Sequence, residues 1–243
     1  MSKERLVIQY IMLNFNVSVI IPVFNEAKNI SPLVVELDQK LKHIVQAFEI
    51  VIVNDGSSDN TQEVVNNLKK SHNITYLENK ENLGQGRTIL KGMKIAANNI
   101  LITMDGDLQV EPNDIETMLW VKQKRNLDFV CSKRKKRAGD PYRRHIPSVL
   151  GNFLISILFN SDFSDIGSSL KVLEKSAVEN LKPFKNIHRY LNVILERKGL
   201  SYVEIPVTDR KRLYGKSNYN FTKFFEVLIE LIYLKIYIRK LVK

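Results

Sequence analysis

The length, composition and charge of this chain already exclude several classes of protein. It has 243 residues, of which 44% are hydrophobic and 26% are charged, and these values are typical of a folded globular protein and exclude a disordered one. The net charge of +11 is unusual and predicts an anionic partner such as a nucleic acid, a phospholipid surface or a phosphorylated small molecule. The single cysteine, Cys131, excludes an internal disulfide and a metal cage built from cysteines.

Signals for export or for spanning a membrane are not found in the sequence. Glu4, Gln9 and Asn14 interrupt the amino-terminal apolar residues, so these do not have the pattern of a signal peptide. No stretch of about 18 uncharged apolar residues occurs, so we expect no ordinary membrane-spanning helix. The default expectation is a cytoplasmic protein.

Strands and helices alternate in the first half of the chain. Apolar runs rich in β-branched residues predict strands at 17–23, 49–54, 74–77, 100–104 and 128–131. Helical periodicity and helix-start signals predict helices at 31–46 and 60–70, from the 82–87 segment to about 97, and at 112–125. This alternation indicates an α/β fold in which helices cover both faces of a mostly parallel sheet.

The second half of the chain is more basic. Two basic segments, 133–137 and 209–217, are predicted to be loops. Between and after them we predict helices at 143–160 and 186–198, strands at 169–173 and 201–206, the latter at a sheet edge, and a helix from about 220 almost to the end. The 133–137 run is either a solvated loop or part of a site for an anion, and its place after a strand favours the site.

Polar side chains follow three of the predicted strands at their carboxyl ends, where ligands bind in open α/β sheets. They are Asn25 and Glu26, then Asp55, then Asp105, Asp107 and Gln109. Two carboxylates separated only by Gly106 repel each other unless a cation lies between them, and oxygen ligands suit Mg²⁺ or Mn²⁺. An Asp-Gly-Asp sequence alone is also typical of a solvated turn. The clustering at three strand ends favours the metal site.

A nucleotide sugar is the ligand that fits these strand ends. Asp55 is suited to accept hydrogen bonds from a base or ribose, and a cation on Asp105 and Asp107 would neutralise a diphosphate. The nucleoside diphosphate would then leave with its charge compensated. Gly84 and Gly86 leave room for a ligand to approach the backbone, although Gly86 has the simpler interpretation of a helix start.

Four segments in the same order resemble the family 2 glycosyltransferases of the GT-A fold. They are SVIIPVFNE at 18–26, VNDGSSD at 53–59, NLGQG at 82–86 and DGDLQ at 105–109. Further downstream features resemble the dolichyl-phosphate mannosyltransferase-like branch, the polyprenyl-phosphate glycosyltransferases. They are Ser132-Lys133, Arg144, the segment 165–171 and Arg212-x-x-Gly215-x-Ser217, and the resemblance covers roughly residues 17–220.

This resemblance implies an inverting transfer of a sugar from a UDP- or GDP-sugar to undecaprenyl or dolichyl phosphate at the cytoplasmic face of the membrane. The implied metal ligands are Asp105, Asp107 and Gln109. The implied contacts to the nucleotide sugar are Pro22, Asn25, Glu26, Asp55, Gly86, Asp105 and Asp107. The implied contacts to the acceptor phosphate are Lys133, Arg144, Arg212 and Ser217, and the implied catalytic residues are Asp107, Lys133, Arg144 and Arg212.

Two positions depart from the family pattern. The family usually has an arginine where this chain has Lys133. An arginine can bind a phosphate through two hydrogen bonds at once, whereas a lysine provides a single point charge. The family often has a lysine after the serine of the Gly-x-Ser motif, where this chain has Asn218.

The residues themselves favour a phosphate as the acceptor. A sugar hydroxyl needs a general base, whereas a phosphate monoester is already anionic and needs positive charge to hold it. Only Asp162 and Asp165 follow the metal motif where a Glu-Asp pair would supply a base, and basic loops are abundant. A saccharide hydroxyl acceptor in polysaccharide synthesis remains the alternative.

A non-catalytic basic protein that binds a membrane or a nucleic acid is the alternative of another class. Tyr214 and Tyr219 beside Arg212 and Lys216 resemble an aromatic and basic nucleic-acid surface. The sequence contains no recognisable nucleic-acid module, so a nucleic-acid partner is not expected.

We expect one GT-A domain with three parts. Residues 17–132 would bind the nucleotide sugar and metal, 133–218 would bind the acceptor, and 219–243 would form an amphipathic helix. That helix is apolar nearly all round and ends in basic residues, so it is either a buried core helix or a helix that lies on an anionic membrane. The membrane interpretation is favoured, and the apolar part of 146–159 is expected to join it.

Overall fold

The computed structural model describes residues 12–134, 155–208, 210 and 223–241. The strands are β1 Leu13–Val23, β2 Val45–Asn54, β3 Ile74–Glu78, β4 Ile100–Thr103, β5 Phe129–Arg134, β6 Lys171–Glu174 and β7 Tyr202–Val207. The helices are α1 Ala27–Ile44, α2 Thr61–Leu68, α3 Gln85–Ile95, α4 Asn113–Arg125, α5 Ile187–Arg197 and α6 Lys223–Leu241, with a 3₁₀ turn at Lys175–Ala177.

All seven strands pair in one sheet, in the order β3-β2-β1-β4-β6-β5-β7. β6 runs antiparallel to both β4 and β5, and the other pairings are parallel. The prediction of a mostly parallel sheet is therefore confirmed, and so is the place of 201–206 at an edge. Strands of the proposed donor and acceptor parts pair with each other, so both parts belong to one sheet.

Helices cover both faces of the sheet because its central strands are apolar on both sides. Along β1, Ile20 lies in one core cluster, while Val19 and Ile21 lie in the other. The first cluster includes buried residues of α3, α5 and α6, and the second includes buried residues of α1 and α4. Because β1, β2, β3 and β4 run in the same direction, their carboxyl ends lie at one edge of the sheet.

The first helix and second strand begin earlier than predicted. α1 begins at Ala27 rather than at 31, because the backbone N–H groups of Asn29 and Ile30 donate to the carbonyl of Glu26 (2.9 and 3.0 Å) directly after β1. β2 begins at Val45 rather than at 49, because its first residues continue the pairing with β1. Local periodicity does not reveal either contact.

The last helix is partly buried and partly exposed. Its buried side chains are Leu231, Leu234, Tyr237 and Ile238, and its exposed apolar side chains are Ile229, Ile232, Tyr233 and Ile236. Tyr190 donates to the Glu230 carboxylate (2.8 Å), which ties α6 to α5. One face of the described part of α6 therefore belongs to the core, and the other face is exposed.

Some predicted elements lie partly outside the described residues. Of the predicted helix 143–160, residues 155–159 are helical and the remainder is outside them. The basic loops lie mostly outside as well. Among the residues that the structure describes, no helix is both long and apolar enough to cross a membrane.

Gly92 allows α3 to approach the sheet closely. A Cβ at this position would lie 2.6 Å from Ile20 Cγ2 and 3.0 Å from Val53 Cγ2, and both of these side chains are fully buried. We expect Gly92→Ala to lower the free energy of unfolding by about 1–3 kcal/mol, because the added methyl overpacks this contact. Denaturant unfolding measures the change, and Lys94→Ala on the exposed side of α3 is the control. Stabilisation by Gly92→Ala, as at an uncrowded helix position, would contradict this packing.

Candidate functional site

The parallel register of β1, β2 and β4 brings the polar strand ends together. Val23 pairs with Asn54, and Ile20 pairs with Thr103, so the segments after these strands begin at the same edge of the sheet. This is the edge at which α/β folds bind their ligands. The structure therefore brings together the three strand-end clusters that the sequence singles out.

Asp55 is buried and holds the loop that precedes α3. Its Oδ1 accepts hydrogen bonds from Asn79 Nδ2 (2.8 Å), the Leu83 N–H (2.9 Å) and Thr88 Oγ1 (2.7 Å), and its Oδ2 accepts one from the Gly84 N–H (3.0 Å). These four donors make Asp55 an organiser of the loop. A direct contact between Asp55 and a nucleotide stays a prediction.

Gly86 is needed for packing within the protein. A Cβ at this residue would lie 2.4 Å from the carbonyl oxygen of Lys185, to which the Gly86 N–H donates (3.1 Å). Gly84 has a φ of +86°, a conformation that glycine adopts without strain. The space beside Gly86 is therefore filled by the chain before α5. A contact between Gly86 and a nucleotide sugar stays a prediction.

Asn25 and Glu26 connect the ends of β1 and β2. Asn25 has a φ of 56°, and its Oδ1 accepts hydrogen bonds from the N–H groups of Ser58 (2.8 Å) and Asp59 (3.2 Å). The Glu26 N–H donates to Thr61 Oγ1 (3.1 Å). Pro22 is buried in β1. Their predicted contacts with the nucleotide are not decided by these bonds.

The two carboxylates of the metal motif lie directly after β4. Asp107 is buried and Asp105 is partly exposed. Desolvation of its carboxylate and the neighbouring charge of Asp107 raise the pKa of Asp105 to about 6, although Lys171 and hydrogen bonds from Ser169 and Gln85 act in the opposite direction. Gln85 Nε2 donates to Asp105 Oδ1 at 2.6 Å, so the start of α3 orients this carboxylate.

A divalent cation suits this pair of carboxylates. Their mutual repulsion disfavours two negative charges without a cation, and carboxylate and amide oxygens are ligands of Mg²⁺ and Mn²⁺. In the described ranges, no group of three or more histidine, cysteine or acidic side chains forms a metal cage. That Asp105, Asp107 and Gln109 hold a cation stays a prediction.

The turn of the metal motif is backbone-strained. Leu108 has a φ of 62°, which is uncommon for a residue with a Cβ, and its side chain is buried. The Gln109 N–H donates to Asp107 Oδ1 (3.2 Å) across this turn. The turn therefore depends on its surroundings to keep its conformation.

Lys171, the last residue of the segment 165–171, is a buried basic residue next to the site, and the sequence pattern did not single it out. It lies on β6 opposite Thr103 of β4, and its ammonium donates to the carbonyl oxygen of Ser168. Burial lowers the pKa of Lys171. Its charge favours the ionised forms of Asp105 and Asp165, although the pKa of Asp105 remains raised while that of Asp165 is lowered. A lysine within an otherwise apolar strand was the signal for it.

Arg134 belongs to the basic run 133–137 that was predicted to be a loop, but in the structure it is the last residue of β5, because Lys133 and Arg134 continue the pairing of β5 with β7. Its Nε and Nη2 donate to the two oxygens of Asp165 (2.7 and 2.8 Å), and its N–H donates to the same carboxylate (3.0 Å). Burial alone would raise the pKa of Asp165, but these bonds to Arg134 outweigh it and lower the pKa. Lys133 is half-buried beside it, whereas Arg144, Arg212 and Ser217 lie outside the described residues.

Known proteins resemble this chain in sequence. Residues 18–182 match the family model described as Glycosyl transferase family 2. A dodecaprenyl-phosphate galacturonate synthase of Rhizobium johnstonii is 30% identical over 93% of this chain and 68% of its own length. An undecaprenyl-phosphate 4-deoxy-4-formamido-L-arabinose transferase of Proteus mirabilis is 27% identical over 89% of this chain and 66% of its own length. The chain thus spans about two thirds of the length of these relatives.

A solved structure shows the same fold. The glucosyl-3-phosphoglycerate synthase of Mycobacterium tuberculosis, in complex with Mn²⁺ and UDP-glucose, superposes with a TM-score of 0.65 at 14% identity, over 90% of this chain and 77% of that one. The expected GT-A fold is therefore confirmed, and the two relatives, both named for a polyprenyl phosphate, confirm the resemblance to that branch. With its strand-end motifs inside the matched residues, the chain belongs to glycosyl transferase family 2.

Proposed function

We propose that the protein transfers a sugar from a nucleotide sugar to a polyprenyl phosphate, with inversion at the sugar carbon. The observation that carries the choice of acceptor is the ion pair of Arg134 and Asp165. A general base for a sugar hydroxyl needs a pKa near the working pH. Of the two acidic candidates for such a base, Asp162 and Asp165, the latter is poorly suited, because both of its oxygens accept hydrogen bonds from Arg134 and its pKa is lowered.

A phosphate acceptor removes the need for a base. Its oxygen is already negatively charged and attacks the sugar carbon directly, while the bond to the nucleoside diphosphate breaks. Lys133, Arg144, Arg212 and Ser217 would bind the acceptor phosphate. The names of the two relatives support this choice, since both contain a polyprenyl phosphate.

The donor half of the reaction depends on the carboxylate pair. Mn²⁺ or Mg²⁺ bound there would offset the charge that develops on the departing diphosphate. Gln85 orients Asp105 for this purpose, and Asp55 holds the loop from which Gln85 extends. Nucleotide contacts would come from Pro22, Asn25, Glu26 and Gly86 around that loop.

Asp107 provides the test of this function. With Mn²⁺ or Mg²⁺, undecaprenyl phosphate and a panel of UDP- and GDP-sugars, we expect nucleoside diphosphate release and a lipid-extractable sugar. Asp107→Asn should lower the rate by about 10²-fold or more, the effect typical of removing one preorganised group at a reacting centre. Asp128→Asn is the matched control, because Asp128 contacts Ser201 at the opposite edge of the sheet.

Each other outcome has a defined meaning. Release that does not require the lipid would contradict a polyprenyl phosphate acceptor and favour a hydroxyl acceptor. Unchanged activity in Asp107→Asn would contradict the metal site.

We further propose that the exposed face of α6 lies on an anionic membrane at its cytoplasmic side. Ile229, Ile232, Tyr233 and Ile236 follow the spacing of one helix face and are 69%, 65%, 49% and 49% exposed. Arg239 and Lys240 in the last turn add positive charge next to that face. Ile157 and Leu158 are two further exposed apolar side chains. A lipid acceptor requires that the site reach a membrane, which supports this occupant.

Vesicle binding tests the membrane-docking face. We expect the protein to sediment with phosphatidylglycerol vesicles at low salt and less at high salt, because screening weakens the attraction of the basic residues. Replacing Ile232 and Ile236 by glutamate should lower the affinity at least about 10-fold, since each loses apolar burial of order 1 kcal/mol or more. Ile95→Glu, on the exposed side of α3, is the control. Equal binding by both variants would contradict this face.

A further inference from the structure

Arg210 joins the end of β7 to the metal motif. Its N–H donates to the carbonyl oxygen of Gln109 (2.8 Å), and Gln109 Nε2 approaches the carbonyl oxygen of Arg210 at 3.5 Å. Both the backbone and the side-chain amide of Gln109 therefore meet the backbone of one residue that is distant in sequence.

The guanidinium group of Arg210 extends this contact in two directions. Nε and Nη2 donate to the two oxygens of Glu111, each at 2.6 Å. Nη1 donates to both oxygens of Glu36 on α1 (3.0 and 2.7 Å). The guanidinium group thus links Glu111, which follows the metal motif, to α1, whose inner face is buried in the core.

The charge of Arg210 is directed at these carboxylates. The sequence places it in the basic segment 209–217, beside residues expected to bind the acceptor phosphate. In the structure its guanidinium group instead donates hydrogen bonds to the carboxylates of Glu111 and Glu36. The side chain of Arg210 is therefore engaged with two carboxylates of the protein.

The turn of the metal motif needs such an anchor. Leu108, directly before Gln109, has a φ of 62°, and a strained residue keeps its conformation only where its surroundings determine it. The buried side chains of Leu108 and Val110 fix one side of the turn. The contacts of Arg210 with Gln109 and Glu111 fix the other.

We propose that Arg210 is a positioning residue for the divalent cation, which acts by holding Gln109 in its orientation beside Asp105 and Asp107. This inference rests on the proposed metal-dependent function. Outer groups that orient metal ligands typically contribute 10–100-fold to metal affinity. A lysine in place of Arg210 would keep the charge and lose the fork that spans Glu111 and Glu36.

The test measures Mn²⁺ affinity rather than turnover. Mn²⁺ is titrated into the full chain in the presence of UDP and, separately, GDP, and free Mn²⁺ is followed by electron paramagnetic resonance. We expect Arg210→Gln to raise the Mn²⁺ dissociation constant about 10-fold and Arg210→Lys to raise it less. Lys40→Gln is the matched control, because it removes an ion pair with Glu116 between α1 and α4 that does not touch the metal motif. This control should leave Mn²⁺ affinity unchanged.

The same substitution made in the Gln109→Ala protein distinguishes a positioning role of Arg210 from a role in general stability. In Gln109→Ala, Arg210→Gln should have little further effect on Mn²⁺ affinity, because the residue through which it acts is gone. Thermal melts of all variants show whether each is folded at the assay temperature. An Arg210→Gln protein that binds Mn²⁺ like the wild type, or an equal loss in the Gln109→Ala background, would overturn the inference and leave the proposed function standing. A wild-type protein that binds no Mn²⁺ with either nucleotide would overturn both.

Discussion

Two carboxylates held close together after β4 are the constraint on which the site depends. Desolvation of its carboxylate and the charge of Asp107 raise the pKa of Asp105, so the pair is electrostatically costly without a cation. Gln85 and the buried Lys171 offset part of that cost. A divalent cation would supply the rest, and its charge is also what a departing diphosphate requires. The arrangement that is unfavourable alone is therefore suited to bind a cation and a diphosphate together.

The polar residues around this pair mainly hold loops in place. Asp55 accepts four hydrogen bonds from the loop before α3, and Asn25 accepts bonds from the loop after β2. Arg210 has a similar role on the other side of the metal motif, where it connects α1, Gln109 and Glu111. Loops fixed in advance lose less conformational entropy when a ligand binds. Residues that the sequence analysis predicts to contact the nucleotide therefore also hold the surrounding loops in place.

The basic side chains of this protein have different surroundings. Arg134 is paired with Asp165, and Arg210 is paired with Glu36 and Glu111, so these two charges are directed at carboxylates of the protein itself. Lys171 is buried against the metal motif. The basic end of α6 lies beside an exposed apolar face, a combination suited to an anionic surface. Net charge alone does not distinguish these roles.

The sequence by itself determined the seven strands, the mostly parallel character of their sheet and the edge at which the polar residues meet. Strand patterns are local, and parallel strands place their carboxyl ends together. It also determined the family, because the motif residues are contiguous. Only the tertiary structure decided that Asp55 holds a loop, that Asp165 is paired with Arg134, and that α6 buries one face and exposes another. It also placed Arg210 beside Gln109, although 100 positions separate them in the chain. These outcomes depend on contacts between residues distant in sequence, and no local pattern specifies which donor reaches which acceptor.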